Sequence, residues 1–261
     1  MNNQSKLNLL IVQMKIFWQD AKANCEQIET RLADKITPGM IVILPEMFNS
    51  GFSMQPDKVA ESMHGETLSW MKKMARHHQC VMVGSLAIKE GGDCYNRMIW
   101  MPSEGEVLYY DKKHLFRLAG EHERYVEGDQ RVIVDYRGWR ILLQVCYDLR
   151  FPVWSRQQQM DYDAMILVAN WPDTRAQAWN ALIRARAIEN QCYVAAVNRV
   201  GADARDLVYA GDSQVVDFLG DFLCHLEDEE QIKPVSLDYS ELLESRNQLP
   251  FYQDADEFEL I

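Results

Sequence analysis

Leu142-Leu143-Gln144-Val145-Cys146-Tyr147-Asp148-Leu149-Arg150-Phe151-Pro152 is the stretch on which the reading of this chain turns. Its apolar first half predicts a β-strand that ends at Cys146. Pro152, whose fixed φ suits a first helical turn, predicts a helix start just beyond. The cysteine is thereby set on a strand-to-helix turn, where backbone N–H groups have no partner inside the helix. Those donors, the Tyr147 N–H above all, suit the binding of an oxyanion. A free cysteine is most often a small buried hydrophobe. The polar run Tyr147 to Arg150 argues for chemistry instead, because charged residues at the carboxyl end of a parallel strand usually line a site.

Upstream, Leu7 to Gln13 is short, apolar and β-prone, and Ala21, Cys25, Ile28 and Leu32 follow at helical spacing. Ile41-Val42-Ile43-Leu44-Pro45 predicts a second strand, stopped by proline, so the opening is a βαβ unit. A helical pattern over 58–78 leads into the strand Val81 to Leu86. Strands then succeed one another without helices, at Tyr95 to Met101, Val107 to Tyr110, Val132 to Tyr136 and Ile141 to Val145, which predicts a partly antiparallel sheet. Downstream of Cys146 the alternation resumes with a strand Ala164 to Val168, a helix Thr174 to Asn190 and a strand Tyr193 to Val197. Hairpin strands near Ser213 to Asp217 and Phe222 to His225 come next, and then an acidic tail, 238–261, suited to packing on a partner subunit. Continuous apolar strands imply burial on both faces. With no linker or internal repeat, 1–261 reads as one layered α/β domain.

The bulk composition narrows the function. Thirty-nine Asp and Glu against 27 Lys and Arg leave a net charge of -12, which disfavours nucleic acid and anionic membrane as partners. The early apolar run is too short for a signal-peptide core or a spanning helix, so the cytoplasm is the expected location. The cysteines at 25, 80, 94, 146, 192 and 224 include no Cys-x-x-Cys pair, so neither a disulfide framework nor a metal site is expected.

Two other places carry candidate chemistry. Glu46 follows the strand Ile41 to Leu44 and reaches the same sheet edge as Cys146 if the two strands run parallel. Lys112 or its neighbour Lys113, in Tyr109-Tyr110-Asp111-Lys112-Lys113-His114-Leu115-Phe116, follows an aromatic strand. Such Glu and Lys residues are ordinarily solvated charges. A cysteine nucleophile, however, needs a proton acceptor and a cation to support the developing oxyanion.

Leu44-Pro45-Glu46-Met47-Phe48, Lys112-Lys113-His114-Leu115-Phe116 and Val145-Cys146-Tyr147-Asp148-Leu149-Arg150-Phe151-Pro152 occur in that order, separated by 66 and 34 residues. Together, across essentially the whole chain, they resemble the nitrilase superfamily of carbon-nitrogen hydrolases. The resemblance selects Lys112 over Lys113, because the family lysine stands two before the His of His-Leu-Phe. It adds Glu121, seven before Gly128, as the carboxylate that orients the lysine. It implies a four-layer αββα sandwich, dimerisation through helices to give a homodimer or higher homo-oligomer, and no metal or organic cofactor. Cys146 to Pro152 with Asn170-Trp171-Pro172 looks most like the bacterial ω-amidases that hydrolyse 2-oxoglutaramate and 2-oxosuccinamate through a Cys thioester. An N-carbamoyl or nitrile hydrolase and a non-catalytic binding protein on the same scaffold are the rival readings. For the substrate carboxylate, Arg117, Arg150 and Arg124 are candidates by nearness to the motifs, with Phe116 and Trp171 as apolar walls.

Overall fold

Along β1 (Lys6–Gln13), Leu7, Leu9 and Ile11 point to one face and Leu10 and Val12 to the other, and all five are buried. Something must therefore cover the strand on both sides. The computed structural model, which describes residues 5–259, shows what does. After β1 come α1 (Ala21–Leu32), β2 (Ile41–Ile43), α2 (Pro56–Val59), α3 (Glu66–His78), β3 (Val81–Glu90), β4 (Asp93–Met101) and β5 (Leu108–Asp111). The chain then builds a second sheet with β6 (Ile133–Tyr136), β7 (Trp139–Val145), α4 (Pro152–Ser155), β8 (Ala164–Ala169), α5 (Ala176–Asn190) and β9 (Tyr193–Asn198). A ribbon of β10 (Val200–Ala202) and β11 (Val208–Ala210) precedes β12 (Gln214–Val216) and β13 (Phe222–His225). Last come β14 (Gln231–Asp238) and α6 (Tyr239–Gln248).

The first sheet has the order β14-β1-β2-β3-β4-β5 and the second β13-β12-β9-β8-β7-β6. Within them β1, β2 and β3 run parallel, as do β7, β8 and β9, and the remaining pairs are antiparallel. On the outer face of the first sheet, Leu10, Val12, Val42 and Met82 pack against Ile28 and Leu32 of α1 and Leu68, Met71 and Met74 of α3. Its inner face, with Leu9, Ile43 and Val83, shares one core with the second sheet, whose far side is covered by Trp179, Ile183 and Ala187 of α5. The order of layers is helix, sheet, sheet, helix, so the chain is the expected α/β four-layer αββα sandwich. No helix among the described residues is long and apolar enough to cross a membrane.

Three segments depart from the sequence expectation. The helix expected over 58–78 is divided, because Gly65 caps α3 and the carboxylate of Glu61 accepts from the Thr67 N–H, diverting the chain out of α-geometry between the two pieces. β14 was not anticipated: its residues alternate poorly and include Pro234, yet it pairs antiparallel along the whole of β1 as an edge strand, where a missing N–H is tolerated. Of the segment expected to be a tail, 239–248 is helix α6, capped by Asp238. Arg246 ties α6 to the segment before β8 by donating to Asp163 Oδ1 at 2.8 Å and the Tyr162 carbonyl at 2.8 Å. Residues 260 and 261 lie outside the described residues.

Candidate active site

The parallel strands of both sheets deliver their carboxyl ends to one place. β2 ends at Ile43, and Leu44 and Pro45 carry the chain over the edge to Glu46, which is fully buried. The turn is tight enough that Met47 takes a φ of 44°, with its N–H donating to Ser85 Oγ at 2.9 Å. Ser85 Oγ in turn donates to Asn96 Oδ1, and Asn96 Nδ2 donates to Glu46 Oε1 at 2.7 Å. The carboxylate is thus oriented by a chain of neutral groups anchored in β3 and β4.

Lys112 continues the ladder beyond β5, its N–H donating to the Asn96 carbonyl at 3.0 Å. Its ammonium donates to Glu46 Oε1 at 3.0 Å and to the two oxygens of Glu121 at 3.1 and 2.9 Å. Glu121 opens a short 3-10 turn and also accepts from Asn96 Nδ2 and from the Phe116 N–H. Gly128 lets the return chain pass against this strand: a Cβ there would stand 2.3 Å from the Asp111 carbonyl oxygen. Lys113 instead faces half-open surroundings, 3.7 Å from the exposed Glu127.

Cys146 directly follows β7. Its φ of 48° puts a non-glycine residue in the left-handed region, a cost of roughly 1–3 kcal/mol that active-site turns carry. The residues Cys146–Arg150 form a 3-10 turn, so the Tyr147 N–H lies in the first turn, where donors have no acceptor within the helix. Asp148 holds the turn in shape. Fully buried, it accepts from the Tyr110 hydroxyl at 2.7 Å, the His114 N–H at 2.9 Å and the Val145 N–H at 3.0 Å, and its Oδ1 lies 2.8 Å from His114 Nδ1. One carboxylate therefore ties the cysteine turn to the loop that carries Lys112. His114 further stacks on Phe151, with ring centroids 3.8 Å apart.

Asn170, just past β8, closes the circle. Its N–H donates to Glu46 Oε2 at 2.8 Å, its Nδ2 donates to the Glu46 backbone carbonyl at 2.6 Å, and its own carbonyl lies 3.9 Å from Cys146 Sγ. Burial pushes the Cys146 thiol well above its ordinary range, the Glu46 carboxylate adds to this, and Lys112 opposes it. A thiol so raised would need a base to take its proton in order to act as a nucleophile. For Lys112, burial works against the charge, but Glu121 and Glu46 outweigh it and hold the ammonium above its usual pKa. Burial raises Glu121, with Lys112 pulling the other way.

The sulfur opens onto a pocket walled by Phe52, Phe116, Tyr147, Trp171 and Tyr209, with Arg150 and Arg175 at its sides. The structure thus gathers Glu46, Lys112, Glu121, Cys146, Tyr147, Phe116, Arg150 and Trp171 in one locality. Arg117 and Arg124 are exposed on the loop after Phe116 and do not line the pocket. Sequence reasoning passed over Asn96, Asp148, the contacts of Asn170, and Arg175. Asn96 left a trace, being an amide on the strand face that otherwise presents Met98 and Trp100 to the core.

The fold and this buried Glu, Lys and Cys cluster define a class of enzyme. Residues 10–246 match the carbon-nitrogen hydrolase family, and the chain belongs to it as a nitrilase-type hydrolase acting on amides. More particularly, it is 43% identical over 256 residues to the omega-amidase YafV of Escherichia coli strain K12, covering 97% of this chain and 98% of that one. It is 31% identical over 253 residues to the 2-oxoglutaramate amidase of Bacillus subtilis strain 168, covering 95% and 97%. Among solved structures it resembles XC1258 of Xanthomonas campestris, a CN-hydrolase superfamily protein described with an arsenic adduct in its active site. The TM-score is 0.96 at 42% identity, over 98% of this chain and 99% of the other.

Proposed function

We propose that the chain hydrolyses the terminal amide of small 2-oxo acid amides, 2-oxoglutaramate and 2-oxosuccinamate, to the 2-oxo dicarboxylate and ammonia. One observation carries the reading: Glu46, bonded to Lys112 through one oxygen and to the Asn170 N–H through the other, is buried beside Cys146, which itself lines an open pocket. The named activities of the similar Escherichia and Bacillus enzymes support the substrate class.

In the first half-reaction Glu46 takes the proton from Cys146 as the sulfur attacks the amide carbon. The carbonyl electrons move onto oxygen, held by the Lys112 ammonium and the Tyr147 N–H. Glu46 returns the proton to the nitrogen, the C–N bond breaks, and ammonia leaves a thioester on Cys146. In the second, Glu46 takes a proton from water, the hydroxide adds to the thioester carbon, and collapse releases the acid. The sulfur recovers its proton from Glu46. Glu121 keeps Lys112 in register throughout, and none of these steps calls on a metal or organic cofactor.

Location in the cytoplasm and assembly as a homodimer or higher homo-oligomer belong to the same proposal. Exposed Val153, Ile188, Leu249, Phe251 and Tyr252, grouped on α4, α5 and the segment after α6, support a partner-facing surface.

The test is direct. Cys146→Ala is expected to lower kcat on 2-oxoglutaramate by at least about a thousandfold. Mass spectrometry of the native protein quenched during turnover is expected to show an acyl adduct on the peptide containing Cys146. An adduct on Cys192 instead, or near-native turnover by the variant, would refute the nucleophile assignment.

A further inference from the structure

The pocket above Cys146 is lined by two guanidinium groups and no carboxylate. Arg150 belongs to the cysteine turn, and its Cζ lies 4.7 Å from the Trp171 ring centroid. Arg175 comes from a different element, the 3-10 turn Asp173–Arg175 that leads into α5, and its Cζ lies 5.3 Å from the Phe116 ring centroid. Several other shielded arginines are matched with acids, Arg97 with Asp111 and Glu90, Arg131 with Asp161, and Arg246 with Asp163, while fully buried Arg199 donates to the backbone carbonyls of Ile16, Val200 and Ala202. Neither pocket arginine has a carboxylate within 4.0 Å among the described residues. In a chain with 39 acidic residues against 27 basic ones, two half-buried guanidiniums left unpaired in one pocket are a pronounced local excess of positive charge. Stacking on aromatic faces holds each planar group while leaving its N–H edge free for an anion.

We propose that Arg175, acting with Arg150, receives the carboxylate at the far end of the substrate, so that the pocket selects short amides that carry a negative charge distal to the scissile bond. A 2-oxo acid offers three oxygens in one plane, two from the carboxylate and one from the ketone, enough acceptors to engage both forks. The proposal rests on the amidase reading of the same site and adds to it the residue that sets substrate charge. Arg175 stands 29 positions after Cys146 in sequence and reaches the pocket only because α5 begins at the carboxyl end of β8.

Steady-state kinetics on 2-oxoglutaramate and on 4-oxopentanamide separate the two ideas, because the second compound replaces the carboxylate by a methyl group and keeps the ketone and amide. Arg175→Gln is expected to lower kcat/KM for 2-oxoglutaramate on the order of 10- to 100-fold, mostly through KM, and by at least about tenfold more than for 4-oxopentanamide. Arg175→Lys is expected to recover part of the loss. Equal losses on both compounds, or no loss on either, would overturn the proposal. A second arm titrates 2-oxoglutarate into Cys146→Ala protein by calorimetry, with and without Arg175→Gln. Weakening by a similar factor supports the assignment, and unweakened binding overturns it. Should the native protein hydrolyse neither amide, the amidase reading fails while the titration still decides the role of Arg175.

Discussion

The two sheets are built alike and used differently. Read from one edge, the first runs β14-β1-β2-β3-β4-β5 and the second β6-β7-β8-β9-β12-β13. Each starts with an antiparallel edge pair, continues with three parallel strands and finishes with two antiparallel ones. By that order β1 corresponds to β7 and β2 to β8. The carboxyl ends of these four strands carry Gln13, Cys146, Glu46 and Asn170. Cys146 and Glu46, between which the proposed mechanism moves a proton, thus stand at non-equivalent positions of the two sheets, and the position matching each holds an amide. Both amides bridge the sheets: Asn170 bonds across to Glu46, and Gln13 Oε1 accepts from the Ser213 N–H just before β12. A common scaffold supplies four strand ends, of which two carry ionisable groups and two carry amides that bond across to the other sheet.

The sharpest way to break this division is to attack the ends that carry ionisable groups. Glu46→Gln keeps the shape and most of the hydrogen bonds but cannot carry a proton, so kcat is expected to fall at least about a thousandfold with little change in melting temperature. Lys112→Ala should cost as much in turnover and should also destabilise the fold by roughly 3–5 kcal/mol, because it leaves Glu46 and Glu121 buried without their cation. Lys113→Ala, which removes a long ion pair to exposed Glu127 and a contact with the Trp154 ring, should stay within about twofold of native kcat. Since the two carboxylates hold the Lys112 pKa above its ordinary value, the native pH profile should show no loss from lysine deprotonation as pH rises to about 10. A Glu46→Gln protein that turned over normally would place the base elsewhere.

What the sequence reveals of this arrangement follows from the range of the interactions involved. Glu46 and Cys146 are legible because each ends an apolar run, and the change from apolar to polar at a strand end is a local signal. Lys112 is separated from Lys113 only by family resemblance, since both follow the same strand. Asn96 and Asp148 are only faintly marked, one as an amide on a core-facing strand face and the other as part of a polar run, because their partners lie 50 and 38 positions away and the neighbouring residues do not name them. Arg117 attracts attention by standing next to Phe116, yet the 3-10 turn turns it outward, and Arg175 arrives from a remote segment instead. The equivalence of the two sheets is likewise invisible as a repeat, since buried strands need only to be apolar and β-prone and carry no common wording.

An intermediate effect is expected at the amide that faces Glu46. Asn170→Ala removes the Nδ2 bond to the Glu46 backbone carbonyl while keeping the N–H that reaches Oε2. The carboxylate then keeps its charge partner and loses part of its fixed direction, so kcat should fall by roughly 10- to 100-fold with KM changing less. A loss as large as that of Glu46→Gln would mean that Asn170 takes part in the chemistry rather than steadying it.

The smallest catalytic effect is expected at Gln13, the counterpart of Cys146 in the first sheet. Its amide is fully buried and satisfies three backbone groups, the Ser213 N–H and the carbonyls of Glu227 and Glu229, the last at 2.7 Å. Gly211, with a φ of 73°, leaves room for it, since a Cβ there would lie 2.4 Å from the Gln13 amide. Gln13→Ala strands these groups and should lower stability by about 2–4 kcal/mol, read from urea unfolding. None of the three belongs to the cluster around Glu46, so kcat measured well below the melting transition should stay within about twofold of native. Because Gln13 and Cys146 occupy matching strand ends, the pair separates scaffold from chemistry: a tenfold fall in kcat without loss of stability would show that the first sheet's β1 end also serves the reaction.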